Sequence, residues 1–134
     1  MTRSLRIAAW GVAAAMGLLF PAQTLANGEL DSLAKLQRGR WELRELDGGV
    51  RARTLCVRSP LLLVQLEHRG AACTRSVVSS DARGATVHYS CPGRGFGQTT
   101  VRVETPRLAR VETQGIASGA PFSYRFEAKY LGGC

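Results

Sequence analysis

The feature that most constrains this chain is a strict two-residue alternation near its C-terminus. Phe122, Tyr124, Phe126, Ala128 and Tyr130 alternate with Ser123, Arg125, Glu127 and Lys129. Successive side chains of a strand point to opposite faces, so such a run buries one face and wets the other. A helix would scatter the same residues around its circumference. Trp41 and Leu43, set between Arg40, Glu42 and Arg44, repeat the pattern. Further strands are predicted at 50–57, 72–80, 85–91, 98–104 and 108–114. They are separated by Asp47-Gly48-Gly49, by Asp81-Ala82-Arg83-Gly84 and by Thr105-Pro106-Arg107. Turns this short join antiparallel neighbours. The expected fold is mainly β: an antiparallel meander of six or seven strands forming a curled sheet or small barrel. Trp41, Leu43, Val87, Tyr89, Val101, Val103, Val111, Phe122, Tyr124 and Phe126 form the expected core.

One or two short helices complete the expectation. Residues 29–37 place Leu30, Leu33, Ala34 and Leu36 near helical spacing. Ser59-Pro60 supplies an N-cap and a proline at the first helical position. With Leu61, Leu62, Val64 and Leu66 behind it, this segment predicts a two-turn helix across an end of the sheet.

Charge sets an expected register. Around Thr105-Pro106-Arg107, pairing Val103 with Val111 brings Arg102 to Glu112 and Glu104 to Arg110, whereas a one-residue slip sets valine against arginine. In the hairpin before it, the register that pairs Val77 with Val87 also pairs Cys73 with Cys91.

The N-terminal end reads as an export signal. Arg3 and Arg6 are its only charges, residues 7–20 are uncharged and mostly apolar, and Thr24-Leu25-Ala26 offers small residues for cleavage. The apolar run is shorter than the roughly 20 residues that cross a bilayer. The expected organisation is a signal peptide at 1–26 and a single exported β domain at 27–134, periplasmic or secreted, with no transmembrane segment in the mature chain.

Cys56, Cys73, Cys91 and Cys134 all fall in the exported part. An even count in a small exported domain predicts two disulfides. Four cysteines permit three connectivities. Cys73–Cys91 with Cys56–Cys134 is favoured by the hairpin register, and Cys56–Cys73 with Cys91–Cys134 is the rival. The wide spacing of the cysteines gives no close pair such as C-x₂-C, so no metal site is expected.

Catalytic constellations are not found. In Gly115-Ile116-Ala117-Ser118-Gly119 the serine stands one place too late for a nucleophile elbow. Residues 92–100 have glycines and hydroxyls but lack the lysine of a phosphate loop, and read as a flexible hairpin connection with Arg94 at its tip. Glu104 and Glu112 are expected to face arginines rather than to act as a carboxylate pair. His68 and His88 read as structural. No enzyme activity and no cofactor are expected.

Charge is the remaining hint. Lys+Arg number 18 against Asp+Glu 10, a formal charge of +8, and all but Lys35 and Lys129 of the basic residues are arginine. Arg51 and Arg53 are expected to point outward. Arg40, Arg51, Arg53, Arg58 and Arg94 are the candidate contacts to an anionic envelope component or an acidic protein. Nucleic acid is disfavoured by export and by the lack of stacking aromatics among these arginines. The expected function is a non-catalytic binding or envelope-associated module using this basic face. The alternatives are a carrier with an apolar β-barrel cavity, or a hydrolase.

Gly39-Arg40-Trp41-Glu42-Leu43, Leu55-Cys56-Val57, Cys73, His88-Tyr89-Ser90-Cys91, Glu112-Thr113-Gln114-Gly115, Pro121-Phe122 and Leu131-Gly132-Gly133-Cys134 together resemble domain of unknown function 3617. That family comprises small exported proteins of proteobacteria. The resemblance spans 39–134 and implies a periplasmic or secreted antiparallel β domain with four paired cysteines. It implies no activity, ligand or catalytic residue.

Overall fold

The computed structural model describes residues 30–49 and 52–134. The expected export signal at 1–26 and Arg51 lie outside the described residues. Seven antiparallel strands form one sheet: β1 (Gly39–Glu45), β2 (Ala52–Val57), β3 (Thr74–Asp81), β4 (Gly84–Cys91), β5 (Gly95–Thr105), β6 (Leu108–Ala117) and β7 (Ala120–Gly132). Their order is β2-β1-β7-β6-β5-β4-β3. From β3 to β7 the chain meanders, and β7 then lies beside β1. The sheet stays open, with β2 and β3 as its edges. The closed cavity that a barrel-type carrier needs is therefore not formed.

One face of the sheet is covered and dry. Trp41, Leu43, Val57, Val87, Tyr89, Val101 and Val111 are fully buried on it. Over them pack Leu33, from helix α1 (Asp31–Ala34), Leu36 just after it, and Leu63, Val64 and Leu66 from the segment between β2 and β3. Of the expected core, Val103 and Tyr124 are only half-buried. Trp41 donates from Nε1 to the Gln37 carbonyl at 2.9 Å and meets Tyr130 edge-on. The polar handle of a buried indole is thus satisfied.

The covering segment departs from the expected two-turn helix. Ser59 caps it, accepting from the Leu61 amide at 3.4 Å, and Pro60 takes the first position as expected. The helix then splits into two 3-10 turns, Pro60–Leu63 and Leu66–His68. Gln65 breaks it, leaving helical backbone at φ −125 and turning its amide to donate to the His68 and Ala71 carbonyls, at 2.7 and 3.0 Å.

Buried polar groups pin this segment to the sheet. Thr99 Oγ1 donates to the Val64 carbonyl at 2.6 Å, and its single proton is thereby committed. The hydrogen bond between Thr99 and Thr113, at 2.7 Å, must then be donated by Thr113. His68 is held between two partners: its Nε2 donates to the Arg94 carbonyl at 3.0 Å, and its Nδ1 lies 3.1 Å from the Tyr89 hydroxyl. The Tyr89 phenol titrates above its ordinary range because burial, and then the charge of Glu67, disfavour the phenolate.

Three sequence expectations are corrected. The predicted strand at 98–104 starts earlier, with residues 95–97 in β5 rather than in a loop: Gly97 pairs with Tyr89 on one side and Gly115 on the other. A Cβ at Gly97 would stand 2.5 Å from the Tyr89 hydroxyl, so glycine lets the ring lie flat on the sheet. The β5–β6 register differs too. Val101, not Val103, meets Val111, and the pairing skips Glu104, which sits in a bulge. A bulge inserts one unpaired residue, and from it Glu104 still reaches Arg110 as expected, at 3.0 Å. The direct acid–base partners arise one strand over, as Arg110 with Glu127 and Glu112 with Arg125. Arg53 is the third correction: it shares the strand face of Leu55 and Val57 and points inward, not outward. The β3–β4 hairpin does pair Val77 with Val87, then shifts at Val78, and this bulge blunts an otherwise open edge.

Candidate functional site at the basic end of the sheet

In an antiparallel meander every second turn lies at the same end of the sheet. The β3–β4 turn and the β5–β6 turn therefore share one end with the start of β1 and the end of β2. Backbone hydrogen bonds hold these pieces together. The Gln37 amide donates to the Pro106 carbonyl and the Tyr130 amide to the Arg107 carbonyl, both at 2.9 Å, and the Val103 amide donates to the Arg83 carbonyl at 2.7 Å. Gly39 pairs with Val57, which sets Arg38 and Arg58 at adjoining strand ends.

This end concentrates positive charge. Lys35, Arg38, Arg40, Arg58, Arg83 and Arg107 are all exposed there, and among the described residues none of the six is in an ion pair. Lys35 donates to the Ala82 carbonyl at 2.8 Å, and the Arg107 guanidinium lies 5.0 Å over the Tyr130 ring. Nearby acids are engaged elsewhere. Asp81 accepts from the Arg83 amide at 2.7 Å, and that bond holds its carboxyl below the ordinary range. Glu104, freed by its bulge, takes Arg110 at 3.0 Å. Six like charges along one end of the sheet, with no ion-pair partner among the described residues, make that end attractive to an extended anion or an anionic surface.

The solvent face between the ends is nearly balanced. Arg44 pairs with Glu42, Arg110 with Glu104 and Arg125 with Asp47. Asp47 is held below the ordinary carboxylate range by the hydrogen bonds of Arg125, whose own titration rises in return. A shallow trough on this face lies over Gln98, Gln114 and Ser123, with the exposed Phe96 ring beside His88 at one end.

The five candidate arginines do not converge. Arg40 and Arg58 stand at the basic end. Arg53 is half-buried on the covered face, 2.9 Å from Glu67 and 4.9 Å from the Phe126 ring centre. Arg94 occupies the β4–β5 turn at the opposite end, about 23 Å away along the eight residues of β4. Arg51 lies outside the described residues. Lys35, Arg83 and Arg107 were missed by reading along the chain, although the parity of turns in a meander would have gathered them.

The cysteines pair as Cys56–Cys134 and Cys73–Cys91. The first ties the end of the chain to edge strand β2, and the second joins the start of β3 to the end of β4. Two such bridges point to an oxidising environment. No helix among the described residues is long and apolar enough to cross a membrane. No family model, curated protein or solved structure matches the chain.

Proposed function

We propose that this chain is an exported, non-catalytic binding module whose basic end docks on an anionic component of the cell envelope. The observation that carries this reading is the gathering of six exposed cations from four chain segments at one end of the sheet, none in an ion pair among the described residues. The two disulfides support an extracytoplasmic site of action. The sheet fixes where these side chains start, so the charges stay gathered at one end without any contact between them.

Charge reversal tests the reading. Arg38→Glu/Arg40→Glu/Arg58→Glu changes only exposed side chains, so the fold should persist by circular dichroism. Vesicles containing phosphatidylglycerol should retain the wild type at low salt and release it as salt rises, and should not retain the variant. Equal retention of both proteins, or retention on neutral vesicles, refutes the reading. Capture only by an acidic protein, with no vesicle binding, moves the partner from membrane to protein.

A further inference from the structure

A second site lies away from the basic end. Between the 59–72 segment and the start of β3 the surface sinks into a hollow of about 430 Å³. Leu61, Leu62, Ala71 and Ala72 line it, and both leucines are only half-buried. Arg69 and Arg75 stand in its wall, and no carboxylate lines it. Arg75 is held in place. Its Nη2 donates to Gln65 Oε1 at 2.7 Å, and Gln65 is itself buried, with its amide locked on the His68 and Ala71 carbonyls. A guanidinium has five N–H donors, so this fixed contact leaves four of them for a ligand.

We propose that this hollow binds a free fatty acid, its carboxylate on Arg69 and Arg75 and its chain over Leu61 and Leu62. Charge complementarity selects the head, because two cations without a neighbouring acid favour an anion, and a planar fork matches a carboxylate with two parallel hydrogen bonds. Size selects the tail. The volume lies at the lower end of the range typical of small-ligand sites and suits one chain rather than a two-chain lipid. Apolar floor and basic wall occur together nowhere else among the described hollows. None of the six cations of the basic end lines this hollow.

Calorimetric titration of the oxidised protein with laurate, kept below its micelle concentration, tests the proposal. One laurate should bind per chain. Dodecyl maltoside has the same chain length with a neutral head and should bind at least about tenfold more weakly, since a charge-assisted contact is worth that much. Acetate, a head without a tail, should give no heat. Arg69→Glu should lose laurate by about tenfold or more with an unchanged thermal midpoint, because Arg69 is exposed and its side chain bonds nothing among the described residues. Arg75→Lys keeps the charge but not the fork, and should fall between. Arg38→Glu/Arg58→Glu should bind laurate like the wild type, which separates this site from the basic end. Equal binding of dodecyl maltoside, indifference to Arg69→Glu, or several laurates per chain overturns the proposal. Capture of phosphatidylglycerol vesicles through Arg69 without binding of monomeric laurate also overturns it, and makes the hollow a bilayer contact.

Discussion

Replacing Thr99 by valine removes one hydroxyl and keeps the shape of the side chain. Thr99 is fully buried, and its proton is the partner of the Val64 carbonyl. The substitution leaves that carbonyl buried without a donor and takes from Thr113 the acceptor of its own proton. Stranding a buried polar group costs about 1–3 kcal/mol, so Thr99→Val should lose about 2–3 kcal/mol. Thr113→Val is the milder change. It deletes a donor and leaves the Thr99–Val64 bond intact, so about 1 kcal/mol is expected. The double variant should fall short of the sum by about 1 kcal/mol, because the Thr99–Thr113 bond is lost only once. Equilibrium unfolding in urea with both disulfides intact measures all three. A cost for Thr113→Val equal to or above that for Thr99→Val refutes the donor assignment. Strict additivity refutes the coupling between the two hydroxyls.

Three further outcomes are expected. Removing the Cys56–Cys134 bridge with a pair of alanines frees a loop with a sequence separation of 78 and should cost about 4.5 kcal/mol of chain entropy, against about 3.2 kcal/mol for the separation of 18 at Cys73–Cys91. Chemical denaturation gives the first value directly, while buried Cys91 adds a packing loss to the second. Gly97→Ala pushes a Cβ against the buried Tyr89 ring and should destabilise by about 1–3 kcal/mol, read as a lowered thermal midpoint. Asp47 titrates lower in the folded chain than in the unfolded one, so its bond to Arg125 stabilises above the unfolded value of 3.8 and is lost as pH falls through the folded value. Wild type should therefore lose more stability than Asp47→Asn on acidification below that value.

Much of the scaffold is legible in the chain, and the losses have physical causes. Alternation at 122–130 marks β7 because an edge-free inner strand with one wet face leaves no other pattern. Ser59-Pro60 marks the start of the covering segment because cap chemistry is local. Registers are harder. Glu104 and Val78 each drop out of a ladder, and a bulge leaves no trace in hydrophobic periodicity beyond a shift that charge pairing can mimic. Arg53 shows a different limit. Its strand parity with Leu55 points inward, yet an arginine reads as a surface residue until Glu67 and Phe126 are known to receive it. His68 reads as structural in the sequence, and its role is a buried tie between Tyr89 and the Arg94 carbonyl. Its partners lie 21 and 26 residues away, beyond any local pattern. The hollow at Arg69 and Arg75 was equally hidden, since its lining joins the start of the covering segment, at Leu61 and Leu62, to its end, at 69–72, and to β3.

The claim that function sits at the basic end is tested most directly by mapping where an anion lands. Amide chemical shifts of the oxidised, isotope-labelled protein would be followed as a short poly-glutamate is added at low salt. The account predicts that shifts cluster at residues 35–40, at Arg58 and in the turns carrying Arg83 and Arg107, and that they fade as salt rises. Shifts centred on the Arg94 turn, or spread evenly over both ends of the sheet, would contradict it.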